Sequence, residues 1–400
     1  MTFRNSANRI LTTHTGSLPR PPDLVDAIRL VESGKAQDAG IERQISAAVD
    51  LIVDRQVDTG IDIINDGEQS KPDYSTYIKH RLTGFFGEVV KSGTSRDARD
   101  FPEYFAESRS DLALASRPAC TAPIAWKDFD AVRRDLDRFS ASLRRRHITP
   151  SHAFMTAVSP GQAARFLGNR FYKSHEDYLR ALGGVLKDEY EAIAQAGFTL
   201  QIDCPDLASG WNNQFAHATL DEFRSIVRLH LDVLDEATQN VSPEQLRIHL
   251  CWGNYAGPHH HDIPLTDILD LVLASRAGAV SFEAANPRHE HEWRAFHSVK
   301  VPKGKVVIPG VIDSVSNFIE HPQVVADRIV RFAKVVGREN VIAGTDCGFA
   351  TFAGSRFVHP SIVWAKLAAL VEGARMASEE LFSEQPVGAG SLAQAESRQA

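Results

Sequence analysis

Four cysteines in a chain of 400 residues are too few to staple a fold of this size with disulfides, so its stability must come from a packed core. No stretch approaches the roughly 18 uninterrupted apolar residues that a membrane-spanning helix needs. The opening MTFRNSANRILTTHTGSLPRP also lacks the continuous apolar segment of a secretory leader. The expectation is a soluble, cytoplasmic protein with no membrane partner. Lys and Arg (44) do not outnumber Asp and Glu (51), the net charge is -7, and no basic block stands out, which excludes nucleic acid as the expected partner. No solenoid repeat is visible. Nothing in the sequence sets an oligomeric state.

What is present is ample core material, with 43% hydrophobic and 24% charged residues. Short β-rich runs alternate with amphipathic helical stretches, the pattern of a parallel sheet joined by crossover helices. The runs fall at residues 10–15, 61–66, 153–158, 200–203, 246–251, 279–283, 306–312 and 341–345. Eight such units close a barrel rather than an open sheet, so the expected fold class is α/β, a (β/α)8 TIM barrel. Residues 178–196 and 322–336 carry apolar positions at helical spacing with charges on the other face. Far more chain than a connection needs separates the second and third runs, which predicts an inserted subregion over one end of the barrel at about 71–146. The expected organisation is one barrel domain over 1–382, followed by a small-residue, polar, disordered tail over 383–400.

Residues able to bind a metal recur at the ends of these runs. His249 and Cys251, in RIHLCWGN, are two apart and so share a face, with Leu250 on the other. Glu283 ends the next run in VSFEAANPR, and Cys347 follows the last in VIAGTDCGF. A histidine two residues from a cysteine is by itself ordinary packing, but three run ends presenting N, S and O donors point to one rim, the C-terminal face where barrel active sites lie. Zn2+ suits this mixed set better than magnesium or calcium, which take oxygen alone. Cys204, in LQIDCPDLA, lies on the face opposite its neighbour Asp203 and is read, with Cys120, as structural. His259, His260 and His261, in GPHHHD, read as a polar rim from which one could serve as a base.

Taken together these motifs resemble cobalamin-independent methionine synthase, in its catalytic barrel, over residues 11–351. THTGSLPRP resembles its opening glycine-serine turn, NDGEQ its glutamate-bearing second strand and QIDCPDLA its aspartate-bearing fourth. HLC, SFEAANPR and TDCGF resemble its four zinc positions. The resemblance implies a zinc enzyme that passes a methyl group from methyl-folate to the thiolate of homocysteine. It implies His249, Cys251, Glu283 and Cys347 as ligands, and Ser17, Glu68 and Asp203 as the residues that hold the thiol substrate, the two carboxylates being the catalytic pair facing its amino group. A first shell of two thiolates, an imidazole and a carboxylate keeps a bound sulfur electron-rich, which suits thiol alkylation rather than hydrolysis. The expected partners are therefore a small-molecule thiol and an alkyl donor. In the family a histidine stands near the position of Val315, in GVIDSVSN, and the run from Cys251 to Glu283 is shorter, so the donor need not be a folate. An epoxyalkane:coenzyme M transferase, also in this family, would require cations for a sulfonate, for which Arg20, Lys71 and Arg288 are the candidates near the rim, Arg288 being the first choice for substrate binding. A non-catalytic zinc-binding barrel would keep the ligands and turn over no thiol.

Overall fold

Among the described residues, seven of nine strands lie side by side and parallel. In chain order the strands are β1 (Leu11–Thr12), β2 (Phe85–Val89), β3 (Pro118–Cys120), β4 (Phe154–Val158), β5 (Thr199–Asp203), β6 (Leu246–His249), β7 (Ala279–Phe282), β8 (Val306–Ile312) and β9 (Ile342–Thr345). The computed structural model describes residues 6–33, 35, 40–89, 94–107, 117–355 and 357–383. The expected tail therefore falls, apart from Ser383, outside the described residues. The large sheet runs in the order β1, β9, β8, β7, β6, β5, β4, while β2 and β3 form a separate antiparallel hairpin.

Residues 61–66, expected as the second strand, form no regular strand. They close the sheet all the same, because Ile63 bridges Thr13 and Ile64 bridges Ala153, both in parallel. Ile63 N donates to the Thr12 carbonyl at 3.0 Å, and Phe154 N to that of Ile64 at 2.9 Å. The ladder stops at Asn65 because its backbone is taken by a helix side chain. Asn65 N donates to Gln56 Oε1 at 2.9 Å, and Gln56 Nε2 donates to the Asn65 carbonyl at 2.7 Å. The result is an α/β barrel of eight parallel segments, seven of them regular strands.

The helices are α1 (Pro22–Glu32), α2 (Ile41–Thr59), α3 (Ile78–Arg81), α4 (Arg96–Asp100), α5 (Pro102–Glu107), α6 (Asp130–Arg145), α7 (Pro160–Phe166), α8 (His175–Gln195), α9 (Leu220–Ala237), α10 (Leu269–Ala274), α11 (Pro322–Val336) and α12 (Pro360–Phe382). Their ends follow local chemistry. Ser174 caps α8 by accepting from Asp177 N, Thr219 and Glu222 form a capping box on α9, and α2 ends on Gly60 with a left-handed φ of 93°. Helix α8 buries Tyr178, Leu179, Leu182, Leu186 and Ile193 on one stripe. No helix among the described residues is long and apolar enough to cross a membrane.

Inside the barrel the side chains grade from apolar to polar along the strand direction. Leu11, Ile63, Phe154, Ala279, Val306, Ile308 and Ile342 pack as one cluster. Two residues further along, period-two alternation places Thr13, Thr156, Ser281 and Gly344 on the same inward face. Arg247 lies between, over the Phe154 ring at 3.6 Å, donating to Gln201 Oε1, Thr13 Oγ1 and the His14 carbonyl. The segment between Lys71 and Arg146 carries α3 to α6 with the β2–β3 hairpin. Buried Arg81 ties it to the barrel by pairing with Asp135 on α6 and Glu189 on α8, a pair of acids that raises the guanidinium pKa against the opposing effect of burial.

Candidate metal and thiol site

Three segments that follow neighbouring or nearby barrel strands bring four donors together. His249 is the last residue of β6, Glu283 follows β7 directly, and Cys347 lies two residues beyond β9. Cys251, expected within a strand, lies beyond the end of β6 in a turn, where Gly253 N donates to its Sγ at 3.3 Å. All four are buried. Cys347 Sγ is 3.1 Å from Cys251 Sγ, 3.6 Å from His249 Nε2 and 3.7 Å from a Glu283 oxygen, and the ligand atoms of His249, Cys251 and Cys347 lie within 4.8 Å of one another. Both thiols are free. Zinc–sulfur bonds of about 2.3 Å at a tetrahedral angle would set the two sulfurs about 3.8 Å apart, so an opening of about 0.7 Å from the observed 3.1 Å would accommodate the ion.

The electrostatics call for a cation. Burial pushes the Cys347 thiol well above its ordinary range, and the neighbouring Cys251 and Glu283 push it further. For Cys251 the hydrogen bond from Cys347 lowers the pKa, but burial and Glu283 outweigh it and the net direction is up. As anions, two thiolates and a carboxylate in one dry pocket would repel one another unless a metal neutralised them. Burial, then Arg247, brings His249 down to about 3, leaving it the neutral imidazole that a metal needs. Its Nδ1 lies 3.2 Å from Ser281 Oγ. With the proton on Nδ1, Nε2 faces the cysteines as a lone pair. Glu283 is oriented by Trp252 N at 2.8 Å and Asn286 Nδ2 at 2.9 Å. Asp346, next to Cys347, accepts from the backbone amides of Ala284, Ala285 and Asn286, which locks the Glu283 and Cys347 loops together.

A cavity of about 540 Å³ opens beside this cluster, with His249, Cys251, Cys347, Ser17, Glu68 and Asp203 among its walls. Glu68 holds a left-handed φ of 56°, a conformation that a non-glycine residue adopts at a cost of about 1 kcal/mol or more. That backbone turns its carboxylate inward, where one oxygen accepts from Thr156 Oγ1 at 2.9 Å and the other is buried with no partner among the described residues. Gly16 is required opposite, since a Cβ there would fall 2.7 Å from the Glu68 oxygen. Asp203 Oδ1 accepts from Gln201 Nε2 at 2.7 Å, and Gln201 in turn accepts from Arg247. Burial raises both carboxylates, and the charge of Glu68 lifts Asp203 further. Ser17 lies against the Cys347 loop, its hydroxyl accepting from Ala350 N at 3.4 Å. Two carboxylates, one with an unpartnered oxygen, make a receptor for an ammonium group.

Other expected residues sit elsewhere. Arg288 is exposed, off the cavity wall, with Nε donating to the His259 carbonyl at 2.7 Å. Arg20 is buried and donates to the carbonyls of Ala350, Glu68 and Lys71. Lys71 donates to the Thr156 carbonyl at 2.6 Å and lies over the Tyr77 ring. All three expected cations thus serve the framework. His259 is held by Asp262 and the Tyr255 carbonyl, and His260 and His261 pair with Asp97 and Asp100 on α4, so none of the three faces the cavity. Val315 stands on the loop after β8, its N donating to Asp313. Cys204 and Cys120 are buried, each with its thiol on a nearby carbonyl.

The cavity also presents residues that the sequence did not mark. His175, at the start of α8, faces His230 at 2.9 Å, His230 meets Asp206 at 2.8 Å, and Asp206 accepts from Ser159 Oγ at 2.6 Å. Such a chain can carry a proton between the cavity and a buried carboxylate. Arg117 and Arg165 line the same space. His175, Arg117 and Arg165 come from helices and the inserted region rather than from a barrel strand end, the signal that singled out the candidate metal donors.

A model of the catalytic domain of cobalamin-independent synthases matches residues 10–100 and 168–372. The methionine synthases of Saccharolobus islandicus (24% identical) and Saccharolobus solfataricus (23%) each align over 92% of this chain and 95% of their own length. Among solved structures, a B12-independent methionine synthase from a Shewanella species, in complex with selenomethionine, shares the fold with a TM-score of 0.69 at 21% identity, covering 94% of this chain and all of that one. A protein from Listeria monocytogenes described as a putative vitamin-B12 independent methionine synthase gives 0.63 at 16% identity, over 92% and 99%. With the family model matching well over half of its residues, this chain belongs to the cobalamin-independent synthase catalytic-domain family.

Proposed function

We propose that the protein is a zinc-dependent methyl- or alkyltransferase acting on a small thiol of homocysteine type. One observation carries the reading: His249, Cys251 and Cys347, with Glu283 behind them against Cys347, converge at the wall of a cavity that also holds the buried carboxylates Glu68 and Asp203. When bound there, zinc supplies a Lewis acid that keeps a substrate sulfur as thiolate at neutral pH. The chain's own residues do the rest. Glu68 and Asp203 receive the substrate ammonium, and Thr156 and Gln201 hold their inner oxygens in place. Trp252 N and Asn286 orient Glu283, while Ser281 fixes the His249 tautomer. The inserted region contributes Tyr74 and Phe105 to the cavity wall and so limits water near the sulfur. The family membership and the methionine synthase names of the aligned relatives support the same reaction class. Val315, on the loop after β8, has no side-chain proton to give a departing folate nitrogen, which favours a smaller alkyl donor.

The test is metal analysis with calorimetry. About one zinc per chain is expected, falling sharply in Cys251→Ser and Cys347→Ser, since a lost thiolate has no nearby replacement. Homocysteine binding should release close to one proton near pH 7, measured in buffers of different ionisation enthalpy. Full zinc in both variants, or tight thiol binding without proton release, would remove the reading.

A further inference from the structure

The cavity carries positive charge that the thiol site does not use. Arg165 is on α7, and its guanidinium donates to Ser209 Oγ at 2.5 Å and Gln162 Oε1 at 3.3 Å. Arg117 immediately precedes β3, in the inserted region. Both guanidiniums lie against one ring, Phe166, at 4.0 Å for Arg117 and 5.4 Å for Arg165. Neither is paired with a carboxylate among the described residues. The acid nearest in charge to Arg165, Asp206, is already committed to Ser159 and His230. Burial lowers the Arg165 pKa, and Arg117 adds like-charge repulsion to the same effect.

Two adjacent guanidiniums sharing one aromatic face, with no carboxylate counter-ion among the described residues, are unfavourable unless an anion completes them. Each presents a planar fork of N–H donors suited to a carboxylate, sulfonate or phosphate. The arginine and lysine residues that the sequence offered for this task are bound to backbone carbonyls instead, and Arg117 and Arg165 are the cations on the cavity wall. We propose that Arg117 and Arg165 form an anion-binding subsite in the thiol cavity, so that one of the two reactants carries a carboxylate, sulfonate or phosphate group. This rests on the zinc–thiol reading for the identity of the cavity, but not for the binding of the anion. The anion belongs either to the thiol or to the alkyl donor, and the two sources are separable.

Three probes decide it on the zinc-loaded full chain by titration calorimetry: 2-mercaptoethanesulfonate, which has both groups; 2-mercaptoethanol, which lacks the anion; and ethanesulfonate, which lacks the thiol. The expected result is that at least one sulfonate binds, and loses tenfold or more of its affinity in Arg117→Gln and in Arg165→Gln. Arg165→Lys should restore part of that loss, which a purely packing role for Arg165 would not do, and 2-mercaptoethanol should bind all variants equally. An anion-dependent gain confined to the thiol pair places the anion on the thiol. Ethanesulfonate binding that needs the arginines, with the two thiols equal, places it on the donor. Sulfonate binding that is absent, or indifferent to both substitutions, overturns the subsite. Failure of 2-mercaptoethanol to bind while ethanesulfonate still needs the arginines would overturn the thiol reading and leave the subsite standing.

Discussion

Asp203 shows how one carboxylate is prepared for work. It ends β5 facing the cavity, and Gln201, two residues earlier on the same face, passes it a hydrogen bond while itself held by Arg247. If it and Glu68 receive an ammonium, replacing either by its amide should leave zinc content unchanged and weaken an amino-bearing thiol by about tenfold to a hundredfold, the worth of a hydrogen bond to a charged group of roughly 1.5–3 kcal/mol. 2-Mercaptoethanol, with no amine, should bind Asp203→Asn and Glu68→Gln as it binds the parent. Equal losses for both thiols would make the carboxylates structural. Gly16 offers a second check at this scale. A methyl group there meets Glu68 and Thr156 at 2.7 and 2.8 Å, with φ at 147°, so Gly16→Ala should cost about 1–3 kcal/mol in urea unfolding and displace the Glu68 carboxylate. An unchanged midpoint would contradict the close approach.

At the scale of elements, the loop after β6 is the segment whose hold on the barrel depends on ionisation. Asp262 accepts from His259 at 2.9 Å and from His289 at 3.1 Å, and His289 stacks on Trp252. Burial alone would lower His289, but Asp262 and Glu292 more than offset it and bring it to about 10. A histidine raised above its unfolded value of about 6.5 contributes stability that is fully present below that pH and is lost as pH rises through about 10. Unfolding free energy should therefore fall between pH 7 and 10, and His289→Gln should flatten that slope. A parallel slope in the variant would remove His289 from the account. The elements themselves were unevenly legible. Residues 306–312 and 322–336 were read from sequence with the bounds that β8 and α11 have, because an unbroken apolar run and a 3.6-residue stripe between Pro322 and Gly337 leave little choice. The strand expected at 61–66 is reduced to two parallel bridges at Ile63 and Ile64, since nothing local reveals that Gln56 on α2 takes the Asn65 backbone. The candidate metal donors stand out in the sequence because they recur at strand ends. Arg117, Arg165 and His175 do not, because they come from an inserted loop and two helices.

For the whole molecule, the ion is expected to be part of the fold's stability as well as its chemistry. Four buried donors contributed by β6 and by the segments after β6, β7 and β9 come together only in the folded chain, so zinc binds the native chain in preference to the unfolded one. At a free zinc concentration about a thousand times the dissociation constant, the linkage stabilises by roughly 4 kcal/mol. Chelation should lower the Tm of the parent by several degrees and leave Cys347→Ser nearly unaffected; equal shifts in both would place the metal elsewhere. The central claim is that a substrate sulfur joins a zinc ion held by His249, Cys251, Glu283 and Cys347. Zinc K-edge X-ray absorption measures it most directly. The account predicts two sulfur neighbours at about 2.3 Å, with nitrogen and oxygen making up the rest, and a third sulfur when homocysteine is added. A sulfur count that stays at two with saturating thiol, or a shell without sulfur in the parent protein, would contradict it.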